Sequence, residues 1–428
     1  MARPAVLTVA DTIAKSFLRA AETRGDRPAI REKKFGIWQP TSWREWLEIS
    51  KEVAYALHAI DFRPGDVASI IANAVPEWVH VDMGILCAGG VSSGIYPTDA
   101  SSQVEYLVND SRTSVIFAED EEQLDKILAC RARCPSLRKI IVFDMEGLSG
   151  FSDEMVMSLD EFRALGRNHM LGRESLWQQM VDSRGASDLA VLVYTSGTTG
   201  PPKGAMHANR SVTHQMRHAN DFIPAREDED RLIFLPLCHV AERIGGYYIS
   251  VALGSVMNFA ESPETVPDNL REVQPTIFLA VPRIWEKFYS AITIALKDAT
   301  PLQRWVYRRA IDVGYRMVDY RIEGKSPPLS LRIANGLVGV MALVAGCDAV
   351  FAIKTVPDWS KDIVADIQAL PAKTYTVKSG DTLSKIAKDV LGDATAYMSI
   401  FNANRDQLSD PNTIKPGQVL KIPLTARQ

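Results

Sequence analysis

A run of hydroxyl side chains set between glycines is the feature of this chain most directed toward chemistry. Thr195-Ser196-Gly197-Thr198-Thr199-Gly200-Pro201-Pro202-Lys203-Gly204 follows directly on the apolar stretch Leu189-Ala-Val-Leu-Val-Tyr194. Gly197 and Gly200 let the backbone turn tightly and approach a polyanion, and the four hydroxyls can donate to phosphate oxygens. Lys203 adds a positive charge. This is not the Walker phosphate loop, because Pro202 stands where that loop requires glycine. A strand feeding a hydroxyl-rich turn that ends in Pro-Lys-Gly predicts a phosphate grip rather than a chance cluster of Ser and Thr.

Other reactive types are sparse. His239 follows the apolar run Leu232–Leu235. Taken alone it fits a hydrogen-bonded histidine closing a buried strand at least as well as a site group. Glu242 and Arg243 come on the next turn, and fit an ion pair within one helix as well as a site role. Cys130 and Cys134 are four residues apart, on one face if Glu121 to Cys134 is a helix. With no second Cys or His pair nearby, no metal site is assigned.

The elements that must position these residues are legible from apolar patterning. Helices are expected at Trp43 to Ile60, Glu77 to Cys87, Gln103 to Asn109 and Glu121 to Cys134. Short apolar runs, expected as strands, fall at Val67–Ile71, Val115–Ala118, Ile140–Phe143, Leu189–Tyr194, Leu232–Leu235 and Ile277–Val281. Continuous apolar strands between helices indicate α/β architecture, with mostly parallel layered sheets covered on both faces.

Composition supports a globular chain. Of 428 residues, 46% are hydrophobic and 23% charged, which excludes disorder over most of the length. Lys and Arg total 48 against 52 acidic residues, so nothing in the balance draws the chain toward nucleic acid or anionic membranes. Five cysteines form no disulfide framework, and the expected compartment is reducing. Met1 to Ala10 lacks the apolar length of a secretory signal. The longest apolar run, Leu337 to Ile353, is broken by Asp348 and reads as a buried helix rather than a span of ~20 residues. Within it, Val344-Ala-Gly-Cys347 matches a lipoprotein cleavage box, a signal that works only near an N-terminus.

The pattern changes after about Gly336. Thr355 to Ser360 reads as a linker, with Asp358 or Ser360 capping a short helix. From Lys373 to Gln428 there are eight basic and five acidic residues, a net of +3 against −7 before it. Tyr375-Thr-Val-Lys-Ser-Gly-Asp-Thr-Leu-Ser384 reads as a strand, a turn at Gly380 and a helix capped by Asp381 or Thr382. Leu383, Ile386, Ala387 and Val390 form one apolar face. A second helix is expected around Tyr397, Ile400 and Phe401, then a turn at Pro416-Gly417 and a strand over Gln418 to Ile422. The order is βααβ.

Four segments of the N-terminal part resemble the adenylate-forming superfamily of acyl-CoA synthetases, luciferases and peptide synthetases. Tyr194 to Gly204 resembles its phosphate-loop signature. Gly89 to Ser111, Phe234 to Gly246 and Ala280 to Phe288 resemble further motifs of its long-chain fatty-acid ligase branch, in family order. The resemblance covers roughly residues 10 to 336. It implies a two-step reaction: a fatty carboxylate attacks the α-phosphate of ATP to give an acyl-adenylate and pyrophosphate, and the thiol of CoA then displaces AMP. It further implies that Thr195, Ser196, Gly197, Thr198, Thr199, Gly200 and Lys203 grip the nucleotide phosphates with Mg²⁺. His239 matches a position beside the acyl carboxylate. Cytosolic ATP and CoA imply the cytoplasm, and membrane association is not indicated.

Two departures stand out. Met206-His-Ala-Asn209 replaces a segment that often ends in His, a minor change. After Phe288 the family's Gly-Tyr-Gly-x-Thr-Glu-like and Thr-Gly-Asp-like segments, which hold adenine, Mg²⁺ and ribose, have no counterpart, nor does the mobile domain with its catalytic Lys. Ser379-Gly380-Asp381 imitates the ribose motif but lies in the βααβ module.

That module resembles a LysM domain over its whole length. The resemblance implies a groove for glycans containing N-acetylglucosamine, such as peptidoglycan or chitin. It would lie between Ser379, Gly380, Asp381, Thr382 and Leu383 on one side and Thr413, Ile414, Lys415 and Pro416 on the other. The expected organisation is a ligase-like domain over 10–336, a junction over 337–373 and the LysM module over 374–423. Three readings remain open from sequence: a ligase with a glycan-binding tail, its turnover impaired; a non-catalytic glycan-binding protein with a ligase remnant; and an artefactual fusion near residues 336–348.

Overall fold

The structure, a computed structural model, describes residues 7–195, 200–222, 229–335, 373–378 and 380–391, together with 397, 400–401, 404, 407–408, 410–411 and 413–422. They fall into two compact units, Met1–Ala280 and Val281–Gln428.

In the first unit, a seven-stranded sheet is built from β3 (Val67–Ile71), β4 (Val91–Ile95), β5 (Thr113–Ala118), β6 (Lys139–Val142), β7 (Val156–Ser158), β8 (Leu189–Thr195) and β9 (Lys203–Ala208). Its order is β7-β6-β5-β3-β4-β8-β9; every pairing is parallel except that of β8 with β9. β3 and β5 are buried almost throughout, which is why they read as unbroken apolar runs instead of alternating ones. A smaller sheet orders β10 (Asp230–Ile233), β11 (Val256–Phe259), β1 (Pro28–Lys34) and β2 (Ile37–Ser42).

Helices cover the large sheet. α2 (Trp43–Ala59) opens with a capping box between Ser42 and Glu45, and α6 (Leu159–Met170) with another between Ser158 and Glu161. The two cross so closely that a Cβ on Gly166 would meet the Glu52 carbonyl. α3 (Pro76–Cys87) starts on Pro76, which needs no partner in a first turn, and is buried on nearly all sides. α1 (Ile13–Arg24) and α2 contribute Phe17, Trp43 and Trp46 to the core with Trp78 and Tyr247. α4 (Ser101–Ser111), packed with Val104, Leu107 and Val108 inward, lies over the other face.

Two expected elements differ. The helix expected to reach Cys134 ends at Leu128: α5 is Glu121–Leu128, followed by a 3₁₀ turn at Arg131–Arg133. Pro135 keeps the helix from running through to Cys134, since it disfavours helical backbone at Cys134 and clashes with the carbonyl of Arg131. Cys130 and Cys134 are both buried thiols, off any common helix face. The run Ile277–Val281 is not a strand; Ile277 makes one isolated parallel bridge to Arg231. The expected cap at Asp358 or Ser360 and the apolar run Leu337–Ile353 lie outside the described residues.

The second unit holds α11 (Pro282–Asp298) and α12 (Pro301–Ile322), the next long helices after α7 (Glu174–Asp182), α8 (Asn209–Phe222), the short α9 (Ile249–Leu253) and α10 (Val266–Val273). It also holds the C-terminal module, where β12 (Lys373–Thr376) pairs antiparallel with β13 (Val419–Ile422) beside α13 (Leu383–Leu391). Thr382 is the cap, accepting from the Lys385 amide at 3.3 Å. Buried Asn404 fastens the module: its side chain donates to Ile400 O at 2.7 Å and Lys421 O at 2.8 Å, and accepts from the Lys421 amide at 2.8 Å. No described helix is long and apolar enough to cross a membrane.

Candidate functional site

The hydroxyl-rich turn joins β8 to β9. Its two ends are clamped by the antiparallel ladder, with Thr195 opposite Lys203 and Tyr194 opposite Gly204. α4 braces it from the side: Tyr106 OH donates to Pro202 O at 3.0 Å, and Tyr194 OH donates to Asp110 Oδ2 at 2.7 Å. Burial and the Asp110 carboxylate both raise Tyr194, so its phenol stays protonated. Thr195, Gly200 and Lys203 are exposed at the turn's ends; Ser196, Gly197, Thr198 and Thr199 lie outside the described residues. The turn springs from the carboxyl end of a strand in a mostly parallel sheet, the edge where such sheets bind ligands.

His239 reaches the same edge by a different route. Beyond β10 the chain runs through Pro236 to Cys238 and enters a π-helix, Ala241–Tyr248. π-turns are rare and concentrate at functional positions. The segment lies directly on β4: a Cβ at Gly94 would come 2.7 Å from Cys238 Cα. Gly94 in turn pairs with Val193 of β8, two residues before Thr195. Adjacent strands are about 4.8 Å apart. The hydroxyl-rich turn therefore leaves β8 beside the strand on which the segment carrying His239 packs.

His239 is exposed rather than closing the buried strand, and its Nδ1 accepts from the Ala241 amide at 3.1 Å. With Nδ1 used as an acceptor, the neutral ring carries its proton on Nε2, a donor suited to a carboxylate or phosphate oxygen. The adjacent Cys238 is no nucleophile, because burial pushes its thiol up to about 12.

Glu242 and Arg243 do not pair with each other; neighbours on a helix face different directions. Arg243 is fully buried and donates through Nη2 to Asp82 Oδ1 on α3 and to Ser92 Oγ on β4. Tyr248 OH donates to Asp82 Oδ2 at 2.9 Å, Arg243 Nε donates to Tyr248 OH at 3.2 Å, and the guanidinium lies 4.8 Å from the Trp78 ring centroid. This cluster bolts the helix after His239 to the sheet. Sequence reasoning missed Tyr106, Asp110, Gly94 and Asp82. An aspartate in the mostly apolar stretch Trp78–Cys87 of α3 was the available signal, since such a carboxylate demands a buried partner.

In the C-terminal module, Asp381 is committed internally. Its Oδ2 accepts from Tyr375 OH and from the Lys378 amide, each at 2.9 Å, which lowers its carboxyl below the usual range. Leu383 lies in the module's core with Ile386 and Leu420, and Ile414 packs against that core. Gly380, with φ of 83°, makes the turn; Thr382 and Pro416 are exposed, and Ser379 lies outside the described residues. Among the described residues no group of three or more His, Cys, Asp or Glu could hold a metal ion.

These features define an adenylate-forming type of domain followed by a small sheet-and-helix module. The chain belongs to the AMP-binding enzyme family, whose model matches residues 17–318, and it carries a LysM domain over 375–423. It is 30% identical over 334 residues to the long-chain-fatty-acid–CoA ligase ACSBG1 of Rattus norvegicus, covering 76% of this chain and 46% of that protein. Against the long-chain-fatty-acid–CoA ligase ACSBG2 of Homo sapiens the identity is 28% over 333 residues, covering 76% and 49%. Among solved structures, the A-PCP didomain of the carboxylic acid reductase from Segniliparus rugosus, in complex with AMP, matches with a TM-score of 0.59 and 26% identity. That match covers 71% of this chain and 47% of the other. The anthranilate CoA ligase AuaEII, in complex with anthranoyl-AMP, shares the fold with a TM-score of 0.54 at 21% identity, covering 63% and 49%. The chain thus spans about half the length of the curated relatives it matches.

Proposed function

We propose that residues 10–336 bind ATP and activate a long-chain fatty carboxylate as its adenylate for transfer to CoA, at a rate well below that of a complete ligase. The observation that supports this reading is the pairing of Gly94 with Val193 under Cys238, the residue before His239, close to where the hydroxyl-rich turn leaves β8. Thr195, Ser196, Gly197, Thr198, Thr199, Gly200 and Lys203 hold the β- and γ-phosphates, the backbone amides and hydroxyls donating and Lys203 supplying charge. Mg²⁺, when bound there, neutralises charge developing on the phosphates. His239 donates from Nε2 to an oxygen of the reacting carboxylate or α-phosphate. Catalysis of this kind rests on positioning and charge stabilisation, with no covalent enzyme intermediate. The low rate follows from the sequence beyond Phe288, where no adenine- or ribose-holding segment appears; each such contact is worth about 2–4 kcal/mol.

The test is exchange of labelled pyrophosphate into ATP, dependent on a long-chain fatty acid. A slow exchange is expected, falling about 100-fold further in His239→Ala. Exchange equal in the variant removes His239 from the chemistry, and none above background in the wild type removes the activity.

A second reading is favoured by the LysM match over residues 375–423: a glycan-binding protein whose ligase-like part does not turn over. Here residues 374–423 bind a glycan containing N-acetylglucosamine through the backbone of Ser379 to Leu383 and the loop at Thr413 to Pro416, with 337–373 as the junction. Neutral sugars suit backbone donors and small apolar contacts. The full chain is then expected to be retained on insoluble peptidoglycan or chitin, and Gly380→Val, strained at a positive φ, to elute. Passage of the wild type through both materials ends this reading.

A further inference from the structure

α8 leaves the phosphate turn by way of β9 and presents two histidines the proposed chemistry does not use. His214 and His218 are four residues apart, so they share one face of the helix. Both are exposed, with ring centroids 4.5 Å apart and planes inclined at 49°. Asp221 sits one turn on, its Oδ2 2.8 Å from His218 Nδ1. Because an ionised carboxylate only accepts, that contact keeps the proton of the neutral ring on Nδ1 and turns the Nε2 lone pair outward. A carboxylate behind an imidazole is the usual device for fixing the tautomer of a metal-ligating histidine.

The helix under this pair is rigidly held. Val212 and Met216 are fully buried on its inner face, Arg217 Nη2 donates to Ala10 O at 2.7 Å, and Asn209 Oδ1 accepts from the Ile13 amide at 3.1 Å. The surface pair His58 and His169 makes a useful contrast. There Nδ1 of one ring and Nε2 of the other are 3.0 Å apart, so one ring's lone pair is already taken by the other's proton.

We propose that His214 and His218 chelate a late first-row divalent cation, nickel or copper in type, with Asp221 orienting His218. Two imidazoles with the remaining positions open to water suit the tetragonal or octahedral preference of such ions, whereas structural zinc requires a closed set of four ligands. Binding bridges two turns of α8 and stabilises the folded chain.

Calorimetric titration of NiCl₂ into the full chain tests this. One site is expected, weakened about tenfold or more in His214→Asn and in His218→Asn, and about 10–100-fold in Asp221→Ala. The double variant His58→Asn/His169→Asn is expected to titrate as the wild type does. Nickel should raise the melting temperature of the wild type but not of His214→Asn. The site is overturned if the wild type takes up no nickel. It is also overturned if both single histidine variants bind unchanged, or if the His58/His169 variant is the one that loses binding.

Discussion

Arg243→Ala is expected to destabilise the first unit by about 3–5 kcal/mol, the cost of stranding a buried carboxylate without its cation. Asp82 and Arg243 are both wholly excluded from solvent. Ser92 Oγ donates to Asp82 Oδ1 at 2.5 Å and accepts from Arg243, so the hydroxyl links the two charges instead of competing with them. Removing the guanidinium leaves Asp82 with two hydroxyl donors, Ser92 and Tyr248, and no positive charge, and it takes the cationic face off Trp78. Asp82→Ala should cost a similar amount. The double variant Asp82→Leu/Arg243→Met should recover most of the loss, because a matched apolar pair avoids the desolvation that the ion pair must overcome. The measurement is urea unfolding of the wild type and these three variants, with hydrogen exchange of the α3 and β4 amides assigning the transition to this unit. If either single variant costs under about 1 kcal/mol, the cluster is not what holds the His239 helix to the sheet.

That cluster also marks the limit of what was legible in the sequence. The parallel sheet could be foreseen because its strands are buried on both faces and so appear as unbroken apolar runs, and the helices between them because their apolar residues recur on one side. The hydroxyl-rich segment could be singled out because its features are local: apolar strand, glycines, hydroxyls and lysine all lie within sixteen residues. Asp82 and Arg243 are 161 residues apart, and no local rule joins them. Glu242 and Arg243 looked like partners only because they are adjacent. Ile277–Val281 has the composition of a strand, but a strand exists only through its neighbours, and Ile277 finds one, at Arg231. The bracing of the turn by Tyr106 and Asp110 escaped notice for the same reason: both fall within the motif Gly89 to Ser111, but their partners lie 96 and 84 residues away.

Replacing Glu242 by glutamine should reverse sign across the pH range, and this tests the interior of the π-helix. Glu242 is 1% exposed, its Oε2 has no partner, and its Oε1 lies over Gly246, where a Cβ would collide with it. Nearby Arg231 is also buried, donating from Nη1 to Gly245 O at 2.8 Å. Burial pushes the Glu242 carboxyl up to about 8, with the charge of Arg231 offsetting part of the rise. The folded chain therefore keeps this proton at neutral pH, while the unfolded chain, with an ordinary value of 4.5, has lost it. Over that interval the native state binds the extra proton, so the contribution to stability is full below about pH 4.5 and is lost as the pH climbs through about 8. Each pH unit in between costs about 1.4 kcal/mol, on the order of 5 kcal/mol for the whole interval. Glu242→Gln has nearly the same shape and nothing to titrate. It should be the less stable protein at pH 5, through an amide that lacks partners, and the more stable one at pH 8.5. Titrations shared by both proteins cancel in the difference between their urea midpoints, and the fixed cost of the amide enters only as an offset. A difference that stays constant from pH 5 to pH 9 would mean that Glu242 is already ionised beside Arg231 at neutral pH, and that the two form a buried ion pair within this helix's core.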